Sequence, residues 1–309
     1  MHISYQPRGL ISLKLILAII NKEYGWDTVL FAPKFNCMET FSQSVSNFKG
    51  DIIFYCCPSQ LKSLLGKGDK KTKIILAIDY FGITDLTIFF EIKKSSPNCI
   101  LILDLCHSYF SWSNVDFQLT VFDYIFTSLR KMLPVPDGSV VFTKSSKTPG
   151  SCKLFSEPSF YWQLLTIIDR SSYSQRLFQK ARPYLFNKHE KTLTKMALSK
   201  ISSELFNTTD HEIMRSQRSK NFKLYTEKLG LPSEVKIFDI RSDNLTPLYF
   251  PFFTVNPEEL VNRLSIRKLF CPIFWPGLDS RIIGLPLDER YDRSDINYIC
   301  DTVIEVLGF

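Results

Sequence analysis

The 309-residue sequence predicts an α/β protein, with a mostly parallel sheet between helices and a smaller α+β part after it. Two observations lead to this prediction. Short apolar runs alternate with helical patterns through the first half, as in successive strand–helix–strand units. In the second half the segments become more polar and helical, with few short strands. We therefore expect a large domain over residues 1–150 and a small domain over residues 151–309.

Six apolar runs in the first half have the length and composition of strands, at residues 28–32, 51–55, 73–78, 99–103, 124–127 and 139–143. Several are apolar throughout rather than alternating, which is typical of strands covered on both faces. Helical patterns lie between them, at residues 10–23, 41–47, 59–65 and 85–94.

The second half predicts helices over residues 156–230, with a break near Pro183, and strands at 235–240 and 248–254. A further helix is expected to begin at Asn256-Pro257, because Asn caps helix N-termini and Pro is tolerated in the first turn. The last helix is expected over residues 294–307, with Ser294 as its cap.

The composition is that of a globular protein, with 45% hydrophobic and 22% charged residues, which excludes a disordered chain. The formal net charge is +7, but no dense basic run occurs. This mild excess suits an anionic, phosphorylated ligand and does not indicate nucleic acid binding.

The eight cysteines form no CxxC pair and the four histidines are scattered, so the sequence predicts no metal site. Cysteines inside apolar stretches indicate free thiols and a reducing cytoplasm. The apolar run at residues 10–20 is shorter than the roughly 20 residues of a membrane span and lacks a cleavage site. We interpret it as a buried helix and expect no membrane contact.

The first informative motif is Asp104-Leu105-Cys106-His107, at the end of an apolar strand. In open α/β sheets, ligands bind at the carboxyl ends of the strands. A buried carboxylate there is costly unless a cation meets it. Taken alone, an ordinary loop-capping Asp is the simpler explanation.

The second motif follows the next predicted strand and reads Ser128-Leu129-Arg130-Lys131-Met132-Leu133-Pro134-Val135-Pro136-Asp137-Gly138. It is a polar, cationic segment followed by a proline-bracketed turn. Taken alone, a solvated lysine in a surface turn is again the simpler explanation.

Together the two motifs resemble those of the DegT/DnrJ/EryC1/StrS family of sugar aminotransferases. Members carry a strand end Asp-x-Ala-(Gln or His), then a Ser-containing strand end, a cofactor lysine and an Asp-Gly or Glu-Gly-Gly turn. Weaker similarities extend over most of the chain, at Leu30–Cys37, Ile78–Gly82, Trp275-Pro276 and Leu285–Tyr291.

The resemblance implies the fold type I of transferases that depend on pyridoxal 5′-phosphate (PLP), with PLP as cofactor. Lys131 would then hold PLP through its amine and later move a proton between substrate and cofactor carbons. Asp104 would pair with the pyridinium nitrogen. His107 would lie near the ring hydroxyl, and Ser128 would contact the phosphate.

Family members hold the phosphate at a Ser-Gly-Thr or Ser-Gly-Arg turn that begins a helix. The corresponding segment here is Pro7-Arg8-Gly9-Leu10. Gly9 allows close approach and Leu10 offers a backbone N–H, but the usual hydroxyl is missing. Arg8 either supplies compensating charge or is a plain surface residue.

The resemblance implies amino transfer from an amino acid such as glutamate to a nucleotide-linked keto sugar, in a homodimer with active sites at the subunit interface. One alternative is another carbanion reaction, such as dehydration; members of that kind replace the lysine with His, which Lys131 argues against. Another is a homologue without transaminase activity that acts as a binding or partner subunit. The altered phosphate turn and the short segment before it favour that alternative, whereas the presence of Asp104 and Lys131 argues against it.

Overall fold

The computed structural model describes residues 1–65, 71–110, 120–150, 197–230, 245–275 and 281–308. Seven strands of the first half form one sheet, in the order β1-β7-β6-β5-β4-β2-β3. The strands are β1 (His2–Gln6), β2 (Thr28–Pro33), β3 (Asp51–Tyr55), β4 (Thr72–Ile78), β5 (Ile100–Asp104), β6 (Tyr124–Phe126) and β7 (Ser139–Thr143).

Strands β2 to β6 run parallel to their neighbours, whereas β7 is antiparallel to both β6 and β1. The carboxyl ends of the five parallel strands therefore meet at one edge of the sheet, where ligands bind in folds of this kind. The helices of this half are α1 (Gly9–Tyr24), α2 (Met38–Ser44), α3 (Gln60–Leu65), α4 (Thr87–Ser95) and α5 (Leu129–Met132).

Helices cover both faces of this sheet, and alternate residues of each strand point to opposite faces. One face packs against α1 through Leu13, Ile16, Leu17 and Ile20, over the strand residues Leu30, Ile74 and Ile102. The other face packs against α4 through Phe89 and Ile92, over Val29, Ile75 and Leu101. Burial on both sides explains why these strands are apolar throughout.

The second half contains α6 (Lys200–Thr208), α7 (His211–Leu229), β8 (Phe250–Phe253), α8 (Pro257–Ile266), β9 (Ile273–Phe274), β10 (Ile282–Leu285) and α9 (Arg293–Leu307). The three strands form an antiparallel sheet in the order β8-β10-β9. Its core joins Phe222 and Tyr225 of α7 to Leu260 of α8 and to Ile299 and Val303 of α9.

The six strands predicted in the first half are present, each within one residue of its predicted bounds. The additional strand β1 escaped prediction because its pattern is inverted. Polar Ser4 and Gln6 are buried, whereas Ile3 and Tyr5 are exposed. A strand at the edge of a sheet with a polar inward face gives no hydrophobic signal.

The predicted caps of the second half have different outcomes. Asn256 caps α8 as predicted, with its side chain accepting a hydrogen bond from the Glu259 amide. The assignment of Ser294 as the cap of the last helix is wrong. The Asp292 carboxylate caps α9 instead, accepting from the amides of Ser294 and Asp295, and the Asp295 side chain accepts in return from the Asp292 amide.

The predicted strand at residues 235–240 and the break near Pro183 lie outside the described residues. Within the described ranges, no helix combines the length and the apolar character needed to cross a membrane.

Candidate active site

The candidate site lies where β4, β5 and β6 end. The Asp79 amide, just past β4, donates a hydrogen bond of 3.0 Å to the Asp104 carbonyl. The Leu105 amide in turn donates 2.8 Å to the Phe126 carbonyl at the end of β6. The backbone ladder thus continues past the strand ends and fixes the position of Asp104 at the edge of the sheet.

Asp104 is a half-buried carboxylate with little local compensation. Its Oδ1 accepts a hydrogen bond of 2.7 Å from the Cys106 amide. Burial raises the pKa of Asp104, and the positive charge of Lys131 together with the bonds from Cys106 opposes that rise. In the part of the chain that the structure describes, no cationic side chain lies within 4.0 Å of this carboxylate. It can therefore accept a cationic N–H group from a ligand.

Lys131 lies on the short helix α5 and is exposed at the rim of the site. Its charge acts on both Asp104 and His107. The turn after α5 is fixed by two backbone hydrogen bonds, from the Leu129 amide to the Gly138 carbonyl (2.9 Å) and from the Gly138 amide to the Pro7 carbonyl (2.8 Å). These bonds place the lysine segment beside the start of α1.

The N-terminus of α1 contacts the ends of both motifs. A Cβ atom added to Gly9 would lie 2.8 Å from Cys106 Sγ and 3.4 Å from Ser128 Cβ, so only glycine fits between them. The first turn of α1 has no acidic residue and no side-chain cap, and Leu10 is half-buried there. Ser128 precedes α5, but its hydroxyl does not cap that helix. Free helical N–H groups beside a hydroxyl form an anion site.

Arg8 precedes this turn and is buried, so the alternative that it is a surface residue is wrong. Burial raises the pKa of Asp137; the hydrogen bonds from Ser202 and Ser199, and then the positive charge of Arg8, oppose that rise. The Asp137 carboxylate accepts hydrogen bonds from the Ser199 amide (3.1 Å), the Ser199 hydroxyl (2.8 Å) and the Ser202 hydroxyl. The lysine turn is thereby tied to the start of α6.

His107 is 4% exposed and lies among aromatic rings. Its imidazole is stacked on Trp275, with ring centroids 5.7 Å apart at 20°, and lies 5.4 Å from the Phe81 ring. Burial and the charge of Lys131 hold the pKa of His107 well below its ordinary value. Its Nδ1 is buried without a hydrogen-bond partner, which leaves it available to a ligand.

Phe81 belongs to the segment Ile78–Gly82, which the sequence analysis noted only as a weaker similarity and to which it gave no role in the site. Its φ of 56° lies in the left-handed region, which is rare for an aromatic residue, and Gly82 follows with a φ of 85°. Phe81 is fully buried between His107 and Phe274. The dipeptide Phe81-Gly82 was the available signal, since Gly82 marks a tight turn.

The geometry fits PLP in three places. Asp104 can receive the pyridinium nitrogen, and the turn at Gly9 and Ser128 can receive the phosphate. Lys131 is exposed, and its charge acts on Asp104. The unpartnered Nδ1 of His107 adds a further polar group.

No protein-family profile and no curated protein sequence matches the chain. Solved structures do match. The chain has a TM-score of 0.65 and 15% identity to a DegT/DnrJ/EryC1/StrS aminotransferase from Brucella abortus, covering 100% of this chain and 87% of that one. It has a TM-score of 0.64 and 11% identity to a chain described as a sugar aminotransferase from Streptococcus pneumoniae in its PLP form, covering 98% and 86%.

A third match has a different activity. Serine palmitoyltransferase from S. paucimobilis, solved with a bound PLP–myriocin adduct, gives a TM-score of 0.64 at 10% identity, covering 99% of this chain and 72% of that one. Identities this low establish a common fold and leave the reaction open. The fold class predicted from the sequence is confirmed: the chain has the type I fold of PLP-dependent transferases, the fold of the DegT/DnrJ/EryC1/StrS aminotransferases.

Proposed function

We propose that this protein is a PLP-dependent aminotransferase that transfers an amino group from an amino acid, such as glutamate, to a nucleotide-linked keto sugar. One observation carries the proposal. Asp104, Lys131 and the N-terminus of α1 converge at the carboxyl edge of a sheet whose fold is that of enzymes solved with PLP.

Each residue has a role that its surroundings support. When bound, PLP supplies an aldehyde that reacts with amines and a protonated ring that withdraws electrons. Asp104 accepts the ring N–H and keeps that nitrogen protonated. Ser128 and the amides of Gly9 and Leu10 bind the phosphate. His107 stays neutral because its pKa is lowered, and its Nδ1 is available to hydrogen-bond the ring hydroxyl.

Lys131 has two tasks in this proposal. Its Nζ anchors the cofactor through the amine and, once released by the substrate, removes a proton from the substrate carbon that carries nitrogen. Its exposure at the rim supports the second task, because the side chain can move between the cofactor and an incoming substrate.

The remaining parts of the proposal concern the substrate, assembly and location. The net charge of +7 suits a diphosphate-linked sugar. We expect a homodimer with active sites at the subunit interface, and domains over residues 1–150 and 151–309. The seven described cysteines are free thiols, which supports a reducing cytoplasm.

The test is an absorbance spectrum of the purified protein with and without PLP, for the wild type, Lys131→Ala and Lys144→Ala. Lys144 is an exposed lysine just past β7, away from the site, and serves as a matched control. The proposal expects the visible band of lysine-bound PLP in the wild type and in Lys144→Ala, and none in Lys131→Ala.

A second step separates the reaction classes. Addition of glutamate should bleach the band, and addition of a nucleotide-linked keto sugar should restore it, because amino transfer returns the cofactor to its first form. A wild type that shows no band in excess PLP contradicts the proposal. A band that no amino acid bleaches leaves a PLP protein that is not an aminotransferase.

A further inference from the structure

We propose that Arg218 is a positioning residue that fixes two parts of the site: the helix that carries Lys131 and the segment of Phe81, whose ring packs against His107. The inference rests on the proposed function, because that function assigns Lys131 as the cofactor lysine. The role of Arg218 follows from the backbone carbonyls to which it donates, those of Met132 and Leu248.

The Arg218 guanidinium reaches three separate segments of the chain from α7. It is only 4% exposed, and its Nη2 lies 3.0 Å from Glu289 Oε2. Nη2 also donates a hydrogen bond of 3.4 Å to the Met132 carbonyl, and Nη1 donates one of 3.4 Å to the Leu248 carbonyl. The Phe110 ring lies 5.9 Å from the guanidinium carbon.

The contact with Met132 bears directly on Lys131. Helix α5 has only four residues, Leu129–Met132, and Lys131 immediately precedes Met132. The last carbonyls of a helix lack partners within the helix, and a cationic donor there both satisfies them and complements the helix dipole. Arg218 therefore caps the C-terminus of the helix that carries the lysine.

The contact with Leu248 bears on His107. The Leu248 amide donates a hydrogen bond of 3.0 Å to the Phe81 carbonyl, so one peptide segment joins Arg218 to Phe81. The Phe81 ring lies 5.4 Å from His107 and forms part of its wall. The Arg218 guanidinium thus holds two segments of the site: the Lys131 helix through the Met132 carbonyl, and the Phe81 segment through Leu248.

Arg218 could instead serve only to hold the loop at residues 286–291, through Glu289. That role alone does not explain why an arginine is buried here. Other side chains of α7 already hold that loop. Asn221 Nδ2 lies within hydrogen-bond distance of the carbonyls of Leu287 (3.1 Å), Asp288 (3.1 Å) and Tyr291 (2.9 Å). The Tyr225 hydroxyl donates to the Pro286 carbonyl at 2.6 Å.

The chemistry of arginine suits the task. A planar guanidinium presents several donors in a fixed fork, whereas the lysine ammonium is a compact charge on a flexible stem. Burial lowers the pKa of Arg218, and the Glu289 carboxylate opposes that effect, so the guanidinium keeps its charge inside the protein. Lysine at this position would keep a charge near Glu289 but could not span both carbonyls.

The experiment compares three variants. Arg218→Lys removes the fork, and Glu289→Gln removes the ion pair while leaving both carbonyl contacts. Arg215→Lys is the matched control, since Arg215 lies one turn earlier on α7, is only half-buried and pairs with Glu212 of the same helix. The first measurement needs no cofactor: amide hydrogen exchange of residues 129–135, read against the unfolding midpoint of each variant.

The second measurement traps PLP on Lys131 with borohydride and counts it by mass spectrometry. We expect Arg218→Lys to speed exchange at residues 129–135 and to slow PLP attachment by about tenfold to a hundredfold, the effect of displacing a reacting group by about 1 Å. Glu289→Gln should lower the unfolding midpoint without either change, and Arg215→Lys should match the wild type.

If Arg218→Lys alters only the unfolding midpoint, as Glu289→Gln does, the proposal is overturned and Arg218 is merely structural. A wild type that binds no PLP contradicts the proposed function instead. The exchange measurement would still decide whether Arg218 fixes α5.

Discussion

The His107 imidazole lies nearly parallel to the Trp275 indole, with ring centroids 5.7 Å apart and an interplanar angle of 20°. The two residues are far apart in sequence, and each follows a strand of a different sheet. This contact therefore closes the candidate site from the second half of the chain and keeps water from His107.

Removing this cover should change the titration of His107. Its pKa is held well below the ordinary value of 6.5, with burial the larger cause and Lys131 the second. We expect Trp275→Ala to move the pKa back toward 6.5, because the ring regains water. Titration of the His107 ring by NMR measures this, with Trp26→Ala as control, since Trp26 is exposed. An unchanged titration in Trp275→Ala would show that other rings suffice to bury His107.

The same lowered pKa predicts a pH dependence of stability. The unfolded chain binds a proton at His107 near pH 6.5, whereas the folded protein resists it. Stability should therefore fall as the pH drops below 6.5, and His107→Gln should flatten this part of the curve. Urea unfolding of both proteins at a series of pH values is the measurement. Parallel curves for the two proteins would contradict the prediction.

Asp104→Asn should stabilise the protein when no cofactor is present. Burial raises the pKa of Asp104 above 3.8, so the ionised carboxylate costs stability once the pH exceeds that value. The gain should be present at neutral pH and should vanish as the pH falls toward the ordinary pKa of 3.8, where the carboxylate is protonated in both states. Under the proposed function, addition of PLP should reverse the order, because only the wild-type carboxylate carries the charge that would pair with a protonated ring nitrogen. Thermal unfolding with and without PLP tests this, with the exposed Asp27→Asn as control.

Gly9→Ala should close the space at the start of α1. The new Cβ would lie 2.8 Å from Cys106 Sγ, and overpacking of this kind costs about 1–3 kcal/mol. Cys106→Ala in the same chain should relieve most of that cost, so the two changes should be strongly non-additive in urea unfolding. Gly150→Ala, where a Cβ meets nothing within 4 Å, is the control. Additive effects would show that the clash lies elsewhere.

Ser199→Ala should loosen the connection between α6 and the lysine turn. The Ser199 hydroxyl accepts from the Ser202 amide as N-cap and donates to the buried Asp137 carboxylate. Loss of both bonds should lower the free energy of unfolding by about 1–2 kcal/mol. Ser203→Ala, on the same helix, should have little effect. Equal losses in the two variants in urea would contradict the assigned bonds.

Short-range signals made the large sheet and the two motifs predictable. Apolar strands and the polar residues that end them are adjacent in sequence, so Asp104 and Lys131 could be found and placed at one edge of the sheet. The strand β1 was missed because Ser4 and Gln6 face inward, against the usual pattern. The predicted cap Ser294 lies two residues after the true cap, Asp292, and both residue types cap helix N-termini.

Long-range relationships could not be predicted from one sequence. The polar pattern of α7 does not reveal that Arg218 is buried and Arg215 half-buried, because the partner of Arg218, Glu289, lies far along the chain. The burial of Arg8 and the stacking of Trp275 on His107 likewise depend on how distant segments pack. The left-handed conformation of Phe81 is imposed by its buried neighbours rather than by its own preference.

The pairing of β1 with β7 has a consequence for the order in which the protein is made. Gln6 pairs with Ser139, and the Pro7 carbonyl receives the Gly138 amide, so the first residues of the chain are anchored by residues translated much later. A nascent chain that ends before residue 139 has no partner for its N-terminal strand. The turn at Gly9 therefore reaches its place only after the ribosome has passed Thr143, and ribosome-bound fragments shorter than this should lack the pairing that positions it.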